Sequence, residues 1–558
     1  MCWGQADVDR PPESGLAALV AELGPERCTY PGLVRSIAEV DPVLPALTCG
    51  GRRLTYGELA ARIAAVAAHL GAIGLVADAS TSAPVAVLMD NSMDTVVVHL
   101  ALQVLGRTVA LVNTSYTGEA LRSLLALCQA DTVIVDEPHH PGVAEVRDQL
   151  EMLPVLLCTS DPELQAALHG TGSSVELAEV VRPASPVDPA FITYTSGTTG
   201  LPKGVVLKQA FSIAGLVLAR RVGMPPGRDR IYLPTPMYHA LGLSMVSLAL
   251  RMGDELVIAP RFSASGYWED IRAHHCTVAY HVGTMAQMLI RQPPSPLDAI
   301  NDVWLFVGGG MPADIWEAFA ERFGVGIVEM YAASDGVGTI GNFGESPPGS
   351  IGRPDPELEV RLIGDDGSDV PVGTAGELLV RPRHALPGPL VEYHNDPAAT
   401  TSKAPDGWVH TGDLVRADED GNLYFVDRKK DAIRRRGVNI APAEIERILG
   451  RHPGVRECAA LAVPAELGED DIKLLVVSDG LDERGMVDLC RESLPPHMQP
   501  RYVELVGRLP KTVTERVQRY RLKHDWQTSS TFDVAAGAFI SPRPTLASET
   551  ATVAGDVR

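Results

Sequence analysis

Apolar residues in the first part of the chain follow two different spacings. In residues 54–70 (LTYGELAARIAAVAAHL) they recur at intervals of three and four, which predicts an amphipathic helix. Short continuous apolar runs, typical of buried strands, alternate with such helical stretches. The runs lie at 84–89, 108–113 and 132–135, and the helical stretches between them lie at 93–105 and 117–128. Repeated strand–helix units predict a parallel sheet with helices on its faces.

The alternation returns in the middle of the chain and then gives way to a different pattern. Further strand-like runs lie at 230–234, 255–259, 278–282, 303–307 and 326–331. From about residue 350 the apolar pieces become short and are separated by turn residues, as in 364–367 (GDDG). This change predicts a small barrel-like or sandwich-like subdomain.

A basic segment marks the expected boundary between two lobes. Residues 427–437 (DRKKDAIRRRG) are densely basic in an acidic protein and precede a new helical start. We expect an α/β fold, in which a large N-terminal lobe of parallel α/β sheets carries a small β-rich subdomain and is joined by a hinge to a small α+β C-terminal lobe. The expected domains are a poorly ordered leader (1–27), the N-terminal lobe (28–428), the mobile C-terminal lobe (429–525) and a disordered tail (526–558).

Composition and charge narrow the class of protein. Of the 558 residues, 45% are hydrophobic and 21% are charged, which is typical of a globular chain. The formal net charge of −22 would repel a polyanion, so no nucleic-acid partner is expected. The eight cysteines form no CxxC pair and have no histidines at zinc-site spacing, which indicates reduced thiols rather than a zinc site.

We predict a cytoplasmic protein without a membrane span. The N-terminus lacks a basic segment followed by an apolar run, so no secretory signal is expected. The longest apolar region, 96–112, is interrupted by His99, Gln103, Gly106 and Arg107, which disfavours insertion into a bilayer. No pattern in the sequence indicates an oligomeric state.

One loop has the chemistry of a phosphate-binding site. Residues 194–205 (YTSGTTGLPKGV) lie between two strand-like runs, although a Gly/Ser/Thr-rich stretch on its own is equally typical of a linker. Hydroxyl groups and glycine N–H groups donate hydrogen bonds to phosphate oxygens, and Lys203 adds a point charge. The loop lacks the Walker frame, because no lysine followed by Ser or Thr closes it. The other residues assigned to phosphate binding are Thr195, Ser196, Gly197, Thr198, Thr199 and Gly200.

This twelve-residue string resembles the phosphate-binding signature of the adenylate-forming superfamily, which includes acyl-CoA synthetases, firefly luciferase and the adenylation domains of peptide synthetases. The resemblance extends from about residue 30 to about residue 523 and is closest to acyl-CoA and carnitine-CoA ligase-like members. It implies that ATP activates a carboxylic acid as an acyl-adenylate, with release of pyrophosphate. It also implies that the smaller lobe then rotates and that a thiol, usually that of CoA, displaces AMP.

The resemblance assigns roles to residues in two segments of the middle of the chain. In 236–242 (PMYHALG) it implies that His239 lines the acyl pocket, whereas a lone histidine after a strand also serves as a hydrogen-bonded structural residue. In 305–312 (LFVGGGMP) it places Gly309 and Gly310 at the border between the adenine and acyl pockets. The full expected pocket wall is His239, Leu243, Val282, Gly283, Phe306 and Gly308, which permits a medium-sized or aromatic acid.

A third segment carries the expected adenine and metal contacts. In 329–335 (EMYAASD) the resemblance implies that Tyr331 stacks on adenine, that Ser334 meets the α-phosphate and that Asp335 binds Mg²⁺. Ala332, Ser334 and Asp335 stand where the family usually has Gly, Thr and Glu. An aspartate is one methylene shorter than a glutamate, so the metal must shift or bind through water.

The expected ribose contacts and the hinge lie further along the chain. In 408–414 (WVHTGDL) the resemblance implies that Asp413 holds the ribose hydroxyls, a bidentate task suited to a carboxylate. It also implies that Arg428 reaches the ribose and that Lys430 is the pivot between the lobes. A solvated basic loop is the alternative for these two residues, and it is compatible with a hinge.

The end of the matched region departs from the family. Residues 509–518 read LPKTVTERVQ, so Glu515 and Arg516 stand where the family has a glycine and its catalytic lysine. Arginine keeps the charge, but its planar fork is not equivalent to an ammonium group. Lys511 is a possible substitute at a different position of the motif. The expected catalytic residues are Lys203, His239, Ser334, Asp335 and Arg516.

These motifs favour a carboxylate–CoA ligase that uses ATP, Mg²⁺ and CoA. Its partners are a small carboxylic acid and a thiol or amine acceptor. Two alternatives stay open, because Asp335 and Arg516 depart from the family pattern. One is a biosynthetic enzyme that forms an amide or activates nitrite for diazotisation of an aryl amine, and the other is a nucleotide- or acyl-binding protein that has lost catalysis.

Overall fold

The computed structural model divides the chain into two compact units, Met1–Phe425 and Val426–Arg558, called here the large unit and the small unit. This division falls close to the boundary expected after residue 428. The residues that the structure describes are 16–77, 83–151, 153–170, 175–195, 202–333, 335–336, 338–343, 346–384, 389–435, 438–465, 470–511, 517–524 and 526–540.

The helices begin and end where capping residues and glycines allow. Thr55, for example, caps a helix by accepting from Glu58 N at 3.2 Å, while the Glu58 carboxylate accepts from Thr55 N at 2.9 Å. The helices are α1 (Leu16–Leu23), α2 (Tyr30–Glu39), α3 (Tyr56–Ala72), α4 (Met93–Val104), α5 (Gly118–Cys128), α6 (His140–Arg147), α7 (Pro162–His169), α8 (Leu177–Val180), α9 (Ala214–Val222), α10 (Ala240–Met252), α11 (Tyr267–Ala273), α12 (Gly283–Ile290), α13 (Ala313–Phe323), α14 (Pro397–Lys403), α15 (Pro442–Leu449), α16 (Glu483–Ser493) and α17 (Arg519–His524), with 3-10 turns at Pro25–Cys28 and Gln209–Ile213.

The strands follow the apolar runs of the sequence. They are β1 (Pro45–Cys49), β2 (Arg52–Thr55), β3 (Val85–Leu88), β4 (Val109–Leu111), β5 (Thr132–Val135), β6 (Val155–Cys158), β7 (Pro189–Thr195), β8 (Lys203–Lys208), β9 (Arg230–Leu233), β10 (Glu255–Ile258), β11 (Val278–Val282), β12 (Leu305–Gly309), β13 (Gly326–Tyr331), β14 (Ile340–Gly341), β15 (Arg353–Pro354), β16 (Leu358–Ile363), β17 (Gly376–Pro382), β18 (Val409–Ala417), β19 (Leu423–Arg428), β20 (Ile433–Arg435), β21 (Val438–Ile440), β22 (Val455–Pro464), β23 (Asp470–Ser478), β24 (Tyr502–Leu505), β25 (Phe532–Asp533) and β26 (Ala538–Phe539).

Two sheets dominate the large unit, and both are mainly parallel as the sequence predicts. One has the order β6-β5-β3-β4-β7-β8, in which only the β7–β8 pair is antiparallel among the described strands. The other has the order β15-β14-β13-β12-β11-β9-β10-β1-β2, with a parallel centre from β13 to β1. Side chains of both sheets, such as Val87 and Val307, share one hydrophobic core with α3 and α4. The prediction of parallel α/β sheets is confirmed.

The β-rich part of the large unit is an open sheet rather than the expected barrel or sandwich. Strands β16, β17 and β18 pair antiparallel in a sheet of the order β16-β17-β18-β19. Its apolar face buries Leu378, Val380 and Val415. The small unit is α+β as expected, because α15 and α16 cover a sheet of the order β22-β23-β24-β25-β26.

Described elements lie within both segments that the sequence assigned to the ends of the chain. Helix α1 buries Leu19 within the expected leader, and Leu19 packs in one small core with Cys28, the first residue after that leader. Strands β25 and β26 lie within the expected disordered tail. There Thr531 is completely buried and accepts a hydrogen bond from Lys473 Nζ at 2.9 Å. The boundaries at 27 and 526 stay predictions, and residues 1–15 and 541–558 lie outside the described part of the chain.

The sequence predicts that no helix spans a membrane. None of the helices within the described residues combines the length and the apolar character that crossing a bilayer requires.

Candidate active site

A hairpin carries the expected phosphate-binding loop. Strands β7 and β8 pair antiparallel, and their last pair is Thr195 with Lys203. A Cβ atom at Gly204 would lie 2.9 Å from the Ile192 side chain, so a larger residue there would force a neighbour to shift. Lys203, the lysine of the expected phosphate-binding loop, is the first residue of β8. The loop residues that lie outside the described part of the chain are Ser196, Gly197, Thr198, Thr199 and Gly200.

A second segment runs along this hairpin. Backbone hydrogen bonds join β8 to residues 391–394, among them Val206 N to Glu392 O at 2.9 Å. The Lys203 ammonium lies 5.2 Å from the centre of the Tyr393 ring, within the range of a cation–π contact. The fold thus fixes Tyr393 beside the lysine of the loop.

Two donors bind the carboxylate of Asp335, the expected metal ligand. The Tyr393 hydroxyl donates to Asp335 Oδ2 at 2.7 Å, and Lys403 Nζ lies 2.9 Å from the same oxygen. Burial and the negative charge of Asp335 raise the pKa of Tyr393, so the phenol stays protonated and acts as the hydrogen-bond donor. Asp335 and Lys203 therefore meet at one tyrosine. Ser334 lies outside the described residues.

The expected adenine and ribose residues are in direct contact. The Tyr331 hydroxyl, at the end of β13, donates to Asp413 Oδ2 at 2.6 Å. Asp413 is completely buried on β18, and its N–H donates to Thr411 Oγ1 at 3.1 Å. A buried carboxylate is costly unless it is hydrogen-bonded, and the tyrosine supplies such a bond. The structure brings together two residues that the sequence separates widely.

A buried glutamate shapes the glycine turn after β12. The carboxylate of Glu329 accepts from Gly310 N and, at 3.1 Å, from Met311 N. Burial raises the pKa of Glu329 to about 8, against the opposing effect of those two N–H groups. Gly310 has a φ of 87°, which favours glycine. We assigned Glu329 no role from the sequence, although a lone charge in an apolar strand was a signal of one.

Two of the expected acyl-pocket residues lie around a buried histidine. The ring of His281 stacks on Phe306 with centroids 4.4 Å apart and an interplanar angle of 6°. His281 pairs with Gly308 across β11 and β12, and a Cβ atom on Gly308 would lie 2.7 Å from the His281 ring. Burial lowers the pKa of His281 to about 3, so its ring is neutral. Sequence reasoning missed this histidine, because its place on the Phe306 face depends on strand register.

The other expected pocket residues lie at two helix starts. His239 precedes α10, with its ring 4.9 Å from that of Tyr238. Leu243 is buried one turn later, in the core shared by the two sheets, whereas Phe306 belongs to the core on the opposite face. Val282 and Gly283 form the junction of β11 with α12, next to Gly309 of β12.

The small unit contains the remaining candidates. Arg428 ends β19, and its N–H donates to its neighbour Asp427 at 2.7 Å. Lys430 is exposed in the turn that follows. Lys511 donates to Glu457 Oε1 at 2.8 Å. Arg516 lies outside the described residues.

The chain matches known proteins over most of its length. The AMP-binding enzyme family model matches residues 34–388, and that of the AMP-binding enzyme C-terminal domain matches residues 444–516. A sulfoacetate–CoA ligase from Cupriavidus necator is 32% identical over 486 residues, covering 85% of this chain and 92% of that protein. An indoleacetate–CoA ligase from Aromatoleum aromaticum is 29% identical over 496 residues, covering 86% and 95%.

A solved structure extends the comparison to three dimensions. The crystal structure of ATP-bound MatB from Rhodopseudomonas palustris matches with a TM-score of 0.77 and 26% identity, covering 89% of this chain and 99% of that chain. The matched fold, both family models and the curated relatives agree. The chain belongs to the AMP-binding enzyme family, and it is an ATP-dependent, AMP-forming enzyme of the acyl-CoA ligase type.

Proposed function

We propose that the large unit forms an acyl-adenylate from a medium-sized or aromatic carboxylic acid, and that CoA then receives the acyl group. The observation that carries this proposal is the grouping of Lys203, Tyr393 and Asp335 around one end of the β7–β8 hairpin. A cation beside a carboxylate suits the binding of a metal–triphosphate complex. The hydrogen-bonded pair of Tyr331 and the buried Asp413 is proposed as the second half of a nucleotide site.

Asp413 is the proposed anchor for the ribose. Its carboxylate is buried and accepts a hydrogen bond from the Tyr331 hydroxyl, while its backbone N–H donates to Thr411 Oγ1. A fixed carboxylate accepts hydrogen bonds from two neighbouring hydroxyls without reorganisation. The Tyr331 ring, held through its own hydroxyl, is thereby oriented to stack on adenine. Arg428 is proposed to add a second ribose contact and Lys430 to act as the pivot.

The donor set around Asp335 fits Mg²⁺. A magnesium ion in a nucleotide site takes one or two carboxylate oxygens together with phosphate oxygens and water, and Asp335 offers such an oxygen. When bound, the ion neutralises charge on the phosphates during displacement. Asp335 accepts a hydrogen bond from Tyr393, which orients its carboxylate.

The first step is a displacement at the α-phosphorus. A carboxylate oxygen of the acid bonds to this phosphorus, and the bond to the pyrophosphate oxygen breaks. Lys203, the glycine and hydroxyl groups of the loop, and Ser334 are proposed to stabilise the charge that develops on the phosphates. Arg516 is proposed to supply the charge that the family obtains from a lysine, with a geometry suited to two oxygens at once.

The second step transfers the acyl group. The sulfur of CoA bonds to the acyl carbonyl carbon, and AMP leaves with the pair of electrons of the broken C–O bond. Thiol acceptance is supported by the two relatives named above, which are CoA ligases by name. The alternatives of nitrite activation, amide formation and loss of catalysis receive no support from the comparisons.

The acid is proposed to lie against the Gly308 side of the pocket. His281 and Phe306 form a flat, neutral and wholly buried pair beneath Gly308, which favours an aromatic or medium-sized apolar acid. The relatives differ in their acids, because one is named for sulfoacetate and another for indoleacetate. The acid of this chain is therefore set by its own pocket residues.

A product assay tests the proposal. The full chain is incubated with ATP, Mg²⁺, CoA and a panel of aromatic, medium-chain and short anionic acids. We expect AMP and a CoA thioester in equal amounts, with the highest kcat/KM for an aromatic or medium-chain acid. Release of ADP, or consumption of ATP without a thioester for every acid of the panel, would contradict it.

A further inference from the structure

Lys403 is a charged residue of the site to which no sequence motif assigned a role. It is the last residue of α14, and its ammonium lies 2.9 Å from Asp335 Oδ2. The exposed fractions of the two side chains are 12% and 21%, so the pair is largely removed from water. A lysine in such a place costs solvation free energy unless a partner or a ligand compensates it.

The ion pair is not needed to hold α14 in place. The carboxylate of Asp396 caps the helix by accepting from Ala399 N at 2.9 Å. The hydroxyl of Thr400 accepts from Tyr393 N at 2.9 Å and ties the helix to the segment before it. Ala399 also packs in a small apolar core with Val205. These contacts hold the helix without the Lys403–Asp335 pair. The charge of Lys403 therefore serves a purpose other than the stability of α14.

The position of the ammonium group relative to Lys203 suggests what that function is. Lys203 Nζ lies 5.2 Å from the centre of the Tyr393 ring, and the hydroxyl of the same ring donates to the oxygen that Lys403 contacts. The two lysines therefore flank one tyrosine and one carboxylate. Two cations that are separated by the width of one side chain suit a ligand with several negative charges.

We propose that Lys403 is a triphosphate-binding residue that pairs with Asp335 until a divalent cation takes that carboxylate. This inference rests on the proposed function, because it takes Asp335 as the metal ligand. An ammonium and a divalent cation on the same oxygen repel each other, so Lys403 must exchange partners when the metal binds. The nearest new partner is a phosphate oxygen of the bound nucleotide. The exchange requires only rotation of a flexible side chain on a fixed helix.

Two binding measurements on Lys403→Met test this role. Removing the competing ammonium should tighten binding of Mn²⁺ alone about tenfold, measured by electron paramagnetic resonance of free Mn²⁺. It should weaken binding of a non-hydrolysable Mg²⁺–ATP analogue about tenfold, measured by calorimetry, because a charged phosphate contact is lost. Lys403→Arg, which keeps the charge, should restore most of the analogue affinity.

Lys208→Met is the matched control, because Lys208, the last residue of β8, is a half-buried lysine that pairs with Glu392 rather than with Asp335. It should leave both affinities unchanged. The proposal is supported only if analogue affinity falls while Mn²⁺ affinity rises in Lys403→Met. Any other combination in a variant with wild-type thermal stability overturns it and leaves a structural ion pair. A wild-type protein that binds the analogue nowhere overturns the proposed function itself, and this inference with it.

Discussion

The ion pair at the proposed site of the large unit can be compared with four ion pairs of the small unit. In the large unit, charged residues of the proposed site contact one another, as Asp335 does with Lys403. In the small unit, basic side chains pair with carboxylates of the same unit's own fold. These pairs are Arg519 with Glu446 at 2.6 Å, Lys511 with Glu457 at 2.8 Å, Arg435 with Asp471 at 3.2 Å, and Lys473 with Glu504.

This difference separates nucleotide binding from the stability of the small unit. A substitution in the proposed site should act mainly on ligand affinity and rate. A substitution in a small-unit ion pair should act mainly on the free energy of unfolding, because both partners of each pair belong to that unit's own fold and neither is assigned to the proposed site. The departure of Arg516 from the family pattern lies in the same unit as these four pairs.

The largest effect on ligand affinity and rate is expected from a substitution of Asp413. Asp413→Ala removes the proposed ribose anchor, and kcat/KM for ATP in thioester formation should fall about a hundredfold to a thousandfold. Tyr331→Phe is the matched variant, because it removes only the hydroxyl that donates to Asp413. It should cost about tenfold, by letting the carboxylate move.

A kcat/KM for Asp413→Ala within threefold of wild type, in a folded protein, would break the assignment of the ribose site. Thermal unfolding followed by circular dichroism establishes that the variant is folded. This check matters because Asp413 is completely buried.

The second effect concerns a buried carboxyl group of the large unit. Glu329 has a pKa raised to about 8 by burial, so the folded protein keeps a proton that the unfolded chain has released. The free energy of unfolding should therefore fall by up to about 1.4 kcal/mol per pH unit as the pH rises toward 8. Urea denaturation at several pH values measures this slope, and Glu329→Gln should reduce it.

Asp254→Asn is the matched control for this slope. Burial also raises the pKa of Asp254, to about 7, so its removal should reduce the slope as well. Only Glu329→Gln should also raise KM, because only Glu329 binds the N–H groups of the glycine turn. A pH slope unchanged in both variants would show that neither carboxyl retains its proton in the folded state.

The smallest expected effect lies in the small unit. Lys511→Met removes a partly exposed pair with Glu457 and should lower the free energy of unfolding by about 0.5–1 kcal/mol. Acid-dependent exchange of pyrophosphate into ATP should stay within about threefold of wild type. A loss of exchange by a hundredfold or more would instead make Lys511 the substitute for the missing lysine and break the comparison of the two units.

The parallel strands could be predicted because each is a short apolar run followed by a helical stretch. Runs such as β3 and β5 are buried on both faces, and burial of that kind leaves an unambiguous sequence pattern. The pairing of Tyr331 with Asp413 agrees with the nucleotide roles that the family resemblance implied for each. These features depend on local pattern or on a recognisable motif.

The remaining features depend on contacts between distant parts of the chain. Lys403 lies in no motif and meets Asp335 only because β8 pairs with residues 391–394. The polar composition of the last segment hid the fact that Lys473 binds Thr531. Composition indicates how much apolar surface a segment can bury. It does not indicate which buried donor, here Lys473, a polar residue of that segment will bind.

A structure of the full chain with a non-hydrolysable ATP analogue and Mg²⁺ tests the central claim most directly. We predict that the triphosphate lies beside Lys203 and the glycine- and hydroxyl-rich loop, with the ribose hydroxyls on the carboxylate of Asp413. An analogue bound with its ribose away from Asp413, or with its phosphates away from Lys203, would contradict the account.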